Sequence, residues 1–304
     1  MGSLKDIKRR LRSVRSTRKI TYAMKLVSAA KLKKAQDGAL NFHVYTEQLD
    51  KLLLKLLAEA REGPLRKVPE HPLMIERSEI KNVGLVIVGG QRGLCGGYNH
   101  NLHKRAEVIL REKKEQYPEA QLHVYILGKK PAEYFRRRGF PYTEAYEDLP
   151  DAVNRWPIEE LALKLEESFL SGGLDRVWLL YTRFVSTMTH PPVCEQLLPL
   201  QVSATAAEQE ESNLAVLVPG LTLFEPSSRQ VFSAILPKIL RSKIQQACHD
   251  AKAGEIASRM TAMDAATRNA EDLGRKLELM HNKLRQLRIT SELLDIIGGA
   301  EAIK

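Results

Sequence analysis

Glycine, cysteine and histidine residues raise the first chemical questions. Gly89-Gly-Gln-Arg-Gly-Leu-Cys-Gly-Gly97 follows an apolar run, a setting in which a glycine-rich turn can cradle phosphate on backbone N–H groups. The spacing does not carry that chemistry. It lacks the dinucleotide fingerprint GxGxxG, and the Walker A pattern GxxxxGK[ST] is absent from the sequence. Gly128-Lys129-Lys130 follows a second apolar run without the upstream glycine. Both stretches read as tight strand-to-helix turns whose backbone approaches something closely. Cys95 is the nucleophile available in the first of them. Arg92 would favour its thiolate, but a guanidinium cannot act as a base, and the nearest histidine is His100. A small buried thiol is the simpler reading.

The eight histidines are scattered. His100 and His103 lie three apart, with no acid at metalloprotease spacing. His190, in Thr189-His-Pro-Pro192, reads as part of a turn. No HExxH, GxSxG or paired metal-ligand pattern occurs. Cys95, Cys194 and Cys248 form no CxxC pair, so neither a disulfide scaffold nor a local zinc knuckle is expected, and a reducing compartment fits. The sequence offers no self-contained active site, and no cofactor or metal is expected.

What remains is charge. Residues 1–36 carry twelve basic side chains against Asp6, a net +11 that leaves −1 for the rest of a 304-residue chain of net +10. Three readings stay open: a solvated helix face, an arm that neutralises nucleic-acid phosphates, or a surface for an acidic protein partner. A membrane-surface helix is a weaker fourth, because the segment has no Trp or Phe. The charged N-terminus has no apolar secretory core. The longest charge-free stretch, Ser212 to Phe224, is broken by Pro219 and Gly220, so no membrane-spanning segment is expected.

The elements that hold these residues fall into three parts: 1–62, 70–225 and 226–304. Residues 3–61 read as one helix, with Ser3 as N-cap and Gly63-Pro64 as a stop. Its stripe runs through Leu4, Ile7, Leu11 and Val14, continues at Ile20, Met24, Val27 and Ala30, and resumes at Leu49, Leu52, Leu53, Leu56 and Leu57. Gly38 is its interior breaker. The last part mirrors it. Ile256, Met260, Met263, Ala266, Ala270, Leu273, Leu277, Met280, Leu284 and Leu287 keep a near-heptad spacing, which predicts a coiled-coil seam. Its methionines read as packing. Pro237 is expected to kink this helix or mark its start. Between the two, Val83–Val88, Leu122–Leu127 and Arg176–Val185 read as buried strands, with Val193–Val202 as a further one. Helices at about 97–117, 129–138 and 157–171 separate them, which predicts a largely parallel α/β layer. Residues 203–219 read as a mobile loop. Such long helices can bury their stripes only against each other. The predicted architecture is therefore a long antiparallel two-helix coiled coil with an inserted Rossmann-like α/β domain.

Five ordered blocks then resemble one family. Ile20-Thr-Tyr-Ala-Met-Lys-Leu-Val-Ser-Ala-Ala-Lys31, Arg92-Gly-Leu-Cys-Gly-Gly97 with Asn99, Gln196-Leu-Leu-Pro-Leu200, Arg259-Met-Thr-Ala-Met-Asp-Ala-Ala-Thr-Arg-Asn-Ala270 and Ile289-Thr-Ser-Glu-Leu-Leu-Asp-Ile-Ile-Gly-Gly-Ala300 are similar to segments of the gamma subunit of F-type ATP synthases. The resemblance implies a rotating central shaft, non-catalytic on its own. Its coiled coil would enter a hexamer of alternating alpha and beta subunits. Its α/β domain and coil base would bind the epsilon subunit and the membrane rotor ring of c subunits, and nucleic acid would not be a partner. Ion flow would turn ring and shaft, and the shaft would force the beta sites through different nucleotide affinities.

By motif position, Arg285 and Gln286 fall where the family meets a catch loop of the beta subunit. Met24 and Lys25 fall near the beta subunits' C-terminal domains, where acidic loops would meet the basic stripe. The small residues Gly298, Gly299, Ala300 and Ala302 would reduce grip at the inserted tip. The implied place is peripheral, on the cytoplasmic face of the cell membrane of a bacterial type. The photosynthetic branch carries an inserted redox dithiol, and the lack of paired cysteines here argues against that regulation. The 203–219 loop matches no family pattern.

Overall fold

The structure, a computed structural model, describes residues 4–62, 71–201, 225 and 227–301. The elements among them, in chain order, are α1 (Leu4–Glu62), β1 (Asn82–Val88), α2 (Tyr98–Gln116), β2 (Gln121–Leu127), α3 (Lys129–Arg138), β3 (Glu144–Tyr146), α4 (Ile158–Leu170), β4 (Arg176–Thr182), β5 (Pro192–Leu198) and α5 (Ser228–Glu301). They group into two compact units, one of Met1–Ala30 with Arg259–Lys304 and one of Lys31–Ser258. The expected N-cap Ser3, the Gly63-Pro64 stop, the 203–219 loop and Ala302 lie outside the described residues.

In the larger unit the strands form one sheet in the order β3-β2-β1-β4-β5. The first four are parallel, and β5 runs antiparallel to β4. Val83–Val88 of the central β1 is buried on both faces, which explains its unbroken apolar run. On one face Leu85, Ile87, Val124, Ile126 and Leu180 pack against α2 and α3. On the other, Val86, Val88, Leu127, Val177 and Leu179 join Leu161, Leu165 and Phe169 of α4. That second core also takes in Leu53, Leu56 and Leu57 of α1 and Phe232, Leu236, Ile239, Leu240 and Ile244 of α5. The alternation along β1 divides the two cores, as a period of two requires.

The expected strands and helices are present, with three differences. β3 is only three residues long, too short to leave a pattern. Two strands are shorter than expected: β4 stops at Thr182, not Val185, and β5 at Leu198, short of the expected Val202, which lies outside the described residues. Of the two readings of Pro237, a helix start is excluded: α5 begins at Ser228 and runs through it. A proline inside a helix costs about 3 kcal/mol. The buried neighbours Leu236, Ile239 and Leu240 each contribute about 1.5–3 kcal/mol on burial, so packing holds the helix through the proline.

Gly128 shows why the second turn needs glycine. Its φ is 130°, and a Cβ there would meet the backbone oxygen of Gly89 at 2.6 Å. In the same unit α1 and α5 run antiparallel and close together. A Cβ on Gly38 would lie 3.0 Å from His249, and the Thr46 and Ser242 hydroxyls are 2.8 Å apart.

The smaller unit pairs the start of α1 with the end of α5, again antiparallel. Gly274 faces Val14, and Thr267 lies 2.8 Å from Thr21 through their hydroxyls. Here the predicted stripes hold in part: Ile7 and Met263 are buried and Leu11, Val14, Met24, Ala266, Ala270, Leu277 and Leu284 half-buried, while others are displaced by one residue. On α1 the seam passes through Thr21 and Ser28, both buried, while Ile20 and Val27 are more than half exposed. On α5 Gly274 is buried and Leu273, Met280 and Leu287 face outward. Hydroxyl and glycine positions win the seam because small residues let two helices approach, and Thr21 satisfies its hydroxyl on Arg18 O at 3.1 Å.

Two predictions follow from the larger unit. Gly128→Ala is expected to lower stability by about 2–4 kcal/mol through backbone strain and collision, read as a fall in Tm of the full chain. Burial pulls the pKa of His103 and of His249 down to about 4, below an unfolded value near 6.5. Between those values the unfolded state binds more protons, so stability is complete above about pH 6.5 and is lost as pH falls toward 4. Both rings stack on an aromatic neighbour, and the Nε2 of each is buried without a partner. The pair His103→Phe and His249→Phe is therefore expected to flatten the fall of Tm over that window. An unchanged pH slope would contradict it.

Candidate functional site

The glycine-rich turn after β1 is committed to the fold. Arg92 N–H donates to Glu255 Oε1 at 3.0 Å, and Asn99 Nδ2 donates to Arg92 O at 3.2 Å. The Ser258 hydroxyl donates to Cys95 O at 2.8 Å, and the Tyr98 hydroxyl donates to Ala251 O at 2.8 Å. Leu94 and Gly96 both sit at positive φ to make the turn. Its backbone thus grips α5 between Ala251 and Ser258, and a carboxylate already takes the Arg92 amide that a phosphate would need. Cys95 is buried, with its thiol on Arg92 O at 3.6 Å. The close approach read from the glycines is to α2 and α3, where a Cβ on Gly89 would meet Leu102 and Pro131 at 2.8 Å and one on Gly90 would meet Asn99 at 2.5 Å; the grip on α5 rests on a buried acid that sequence spacing did not single out. The signal for Glu255 was an acid set inside the apolar run Ala253 to Ala257.

The residues singled out as contacts lie in the smaller unit, at two separate places. Met24 and Lys25 are half-buried on the inner side of α1. Lys25 Nζ is 2.6 Å from Asp264 Oδ1, and Arg268 reaches the other oxygen at 3.0 Å. The Lys25 hydrogen bond holds the Asp264 carboxyl below the usual carboxylate range. Lys25 is thus engaged within the chain. Arg285 and Gln286 are exposed on α5, about 30 Å along the helix from Asp264 at ~1.5 Å per residue. Gln286 O accepts from Thr290 Oγ1 at 3.0 Å. Among the described residues neither side chain has an internal partner, so both are available.

Between these places lies a groove of about 700 Å³. Lys8, Arg12, Arg15 and Lys19 line it from one face of α1, at helical spacing. Glu278 and His281 line it from α5. Glu278 is bonded to Arg15, which leaves a positive excess. Four of the twelve basic residues of the segment therefore face this groove, and one of them, Arg15, is neutralised internally. No group of His, Cys, Asp or Glu among the described residues has the geometry to hold a metal.

The family model described as ATP synthase matches residues 3–303. An ATP synthase gamma chain of Pelotomaculum thermopropionicum is 39% identical over 304 residues and covers all of both chains. One from Chlorobium phaeobacteroides is 36% identical, covering 100% of this chain and 99% of its own. Among solved structures, a chain of the Euglena gracilis mitochondrial ATP synthase rotor aligns with 94% of this chain and 98% of its own. It does so at a TM-score of 0.57 and 15% identity. A chain of the Tetrahymena thermophila ATP synthase central stalk and c-ring aligns at a TM-score of 0.52 and 20% identity, covering 81% and 99%. At such identities these two structures speak for the fold alone.

Proposed function

The chain belongs to the ATP synthase gamma-chain family, and on that premise we propose that it works as the rotating central-stalk subunit of an F-type ATP synthase. It is a gamma subunit and is not itself catalytic. The chemistry of ATP belongs to beta subunits, and this chain supplies contacts that differ from one beta subunit to the next. A contact made in one conformational state and lost in another shifts the balance between them by its differential free energy. The partners in this reading are the alpha–beta hexamer, the epsilon subunit and the ring of c subunits. Residues 1–62 and 226–304 act as the shaft, and 70–225 as the domain that meets epsilon and ring. No described helix is long and apolar enough to cross a membrane, which fits a peripheral subunit. We place it on the cytoplasmic face of the cell membrane.

One observation carries the reading. The smaller unit turns large apolar side chains outward on both helices: Leu26 and Val27 on α1, Met280, Leu287 and Leu294 on α5. Water-exposed apolar rows of this kind mark a surface that another protein covers. The groove of Lys8, Arg12 and Lys19 adds a place for acidic loops of that cover. Arg285 offers a charge-assisted donor beside the neutral donor of Gln286, the pair best placed to engage one beta subunit at a time.

Co-expression of the tagged chain with its alpha and beta subunits tests the assignment. A stable complex with ATPase activity is expected, and a chain that stays monomeric beside an intact hexamer would overturn it. The pair Arg285→Ala and Gln286→Ala is expected to lower coupled ATP turnover by roughly tenfold, as losing one charge-assisted hydrogen bond implies. The Tm of the chain is expected to hold, because both side chains are exposed. Unchanged turnover would contradict their role.

A further inference from the structure

We infer that Asp151 is a pin between the α/β domain and both long helices, a positioning residue that makes domain and helix pair twist together. The inference rests on the stalk reading above. Asp151 lies in the connection between β3 and α4. Its Oδ2 accepts from Lys31 Nζ of α1 at 2.5 Å, and its Oδ1 accepts from Lys252 Nζ of α5 at 3.2 Å. One carboxylate therefore spends one oxygen on each helix.

Lys252 makes the arrangement more than a surface pair. Its side chain is only 11% exposed, and a nearly buried ammonium needs a counter-charge. Lys31 is about half exposed, so its arm alone would contribute little. The hydrogen bond from Lys31, followed by the charge of Lys252, holds the Asp151 carboxyl far below its ordinary range.

The other links differ in kind. Glu255, Ser258 and Ala251 tie the glycine-rich turn to α5, and Glu159 of α4 meets Arg241 of α5 at 2.5 Å. Each of these reaches one helix; Asp250 of α5 also joins all three parts, through the Phe184 backbone and His43 of α1, but it sits on the helix rather than on the domain. The contact of α1 with the sheet is apolar, through Leu53, Leu56 and Leu57. Apolar packing resists separation but has no preferred direction, whereas a charge-assisted hydrogen bond fixes geometry. Lys31 is also the first α1 residue of the larger unit. A directional bond there controls the helix where the domain first holds it.

The test uses the assembled complex of hexamer, stalk and rotor ring in vesicles. Asp151→Asn keeps shape and removes charge. The readouts are the mean-square twist of the ring against a fixed hexamer, the ions pumped per ATP against a steady membrane potential, and the unloaded ATPase rate. The expected result is about a twofold rise in mean-square twist and fewer ions pumped per ATP, with the unloaded rate nearly held and Tm lowered, since Lys252 loses the counter-charge that its burial requires. Asp151→Glu is expected to restore stiffness, which a purely structural role would not require. Wild-type twist and pumping in Asp151→Asn would overturn the pin. If that variant does not assemble, Lys31→Met releases the α1 arm alone. It is then expected to loosen twist to a lesser degree, and unchanged twist would overturn the inference equally. A wild-type chain that assembles but never turns would instead overturn the stalk reading.

Discussion

The close approach of α1 to α5 is the constraint on which the rest of the structure depends. In each unit the two helices meet over small or hydroxyl-bearing positions. Gly274 faces Val14 and Thr21 meets Thr267 in one unit; Gly38 sits under His249 and Thr46 meets Ser242 in the other. Polar groups in such a seam must find partners or cost free energy. The fully buried Asp250 accepts from His43 Nε2 at 3.1 Å through both oxygens, and Gln246 Nε2 donates to His43 Nδ1 at 2.8 Å. A one-residue slip would orphan these groups, so the seam specifies register as buried polar positions do in coiled coils. It also spends the narrow side of each helix, which in the larger unit leaves Leu53, Leu56, Phe232 and Leu236 for the core under the sheet and in the smaller unit leaves Val27, Met280 and Leu287 facing out.

That division of labour suits a protein whose function is contact rather than catalysis. The smaller unit keeps apolar rows and a basic groove for whatever surrounds it. In the larger unit the sheet, the glycine-rich turn and Asp151 all hold the helix pair. Residue types that could have supported catalysis are spent in the same way: the turn grips Glu255, Cys95 is buried, and His103 and His249 are neutral stacking rings.

Sequence periodicity revealed most of this architecture and missed its finest level. Val83–Val88 was legible because a strand buried on both faces leaves no polar interruption. The three-residue β3 was not, because Glu144–Tyr146 has too few residues to show a period. The helix stripes held at Ile7, Val14 and Met263 but slipped by one residue at other positions, since hydrophobicity ranks Ile20 above Thr21 and Leu273 above Gly274, while close helix packing ranks them the other way. Pro237 misled only as a possible helix start: its local penalty was outweighed by tertiary burial of Leu236 and Leu240. Arg285 and Gln286 were reached by resemblance alone, since an exposed Arg-Gln pair carries no signal of its own. Asp151 was not legible at all, because its two partners lie more than a hundred residues away on either side.

The central claim is that this chain turns inside a stationary alpha–beta hexamer. Fixing the alpha–beta hexamer to a surface and attaching a bead to an exposed cysteine introduced in the α/β domain tests it directly. The account predicts unidirectional rotation of the bead on addition of ATP, in discrete steps and at a speed that follows the ATPase rate. Sustained ATP hydrolysis by the assembled complex with a bead that only fluctuates about one angle would contradict it.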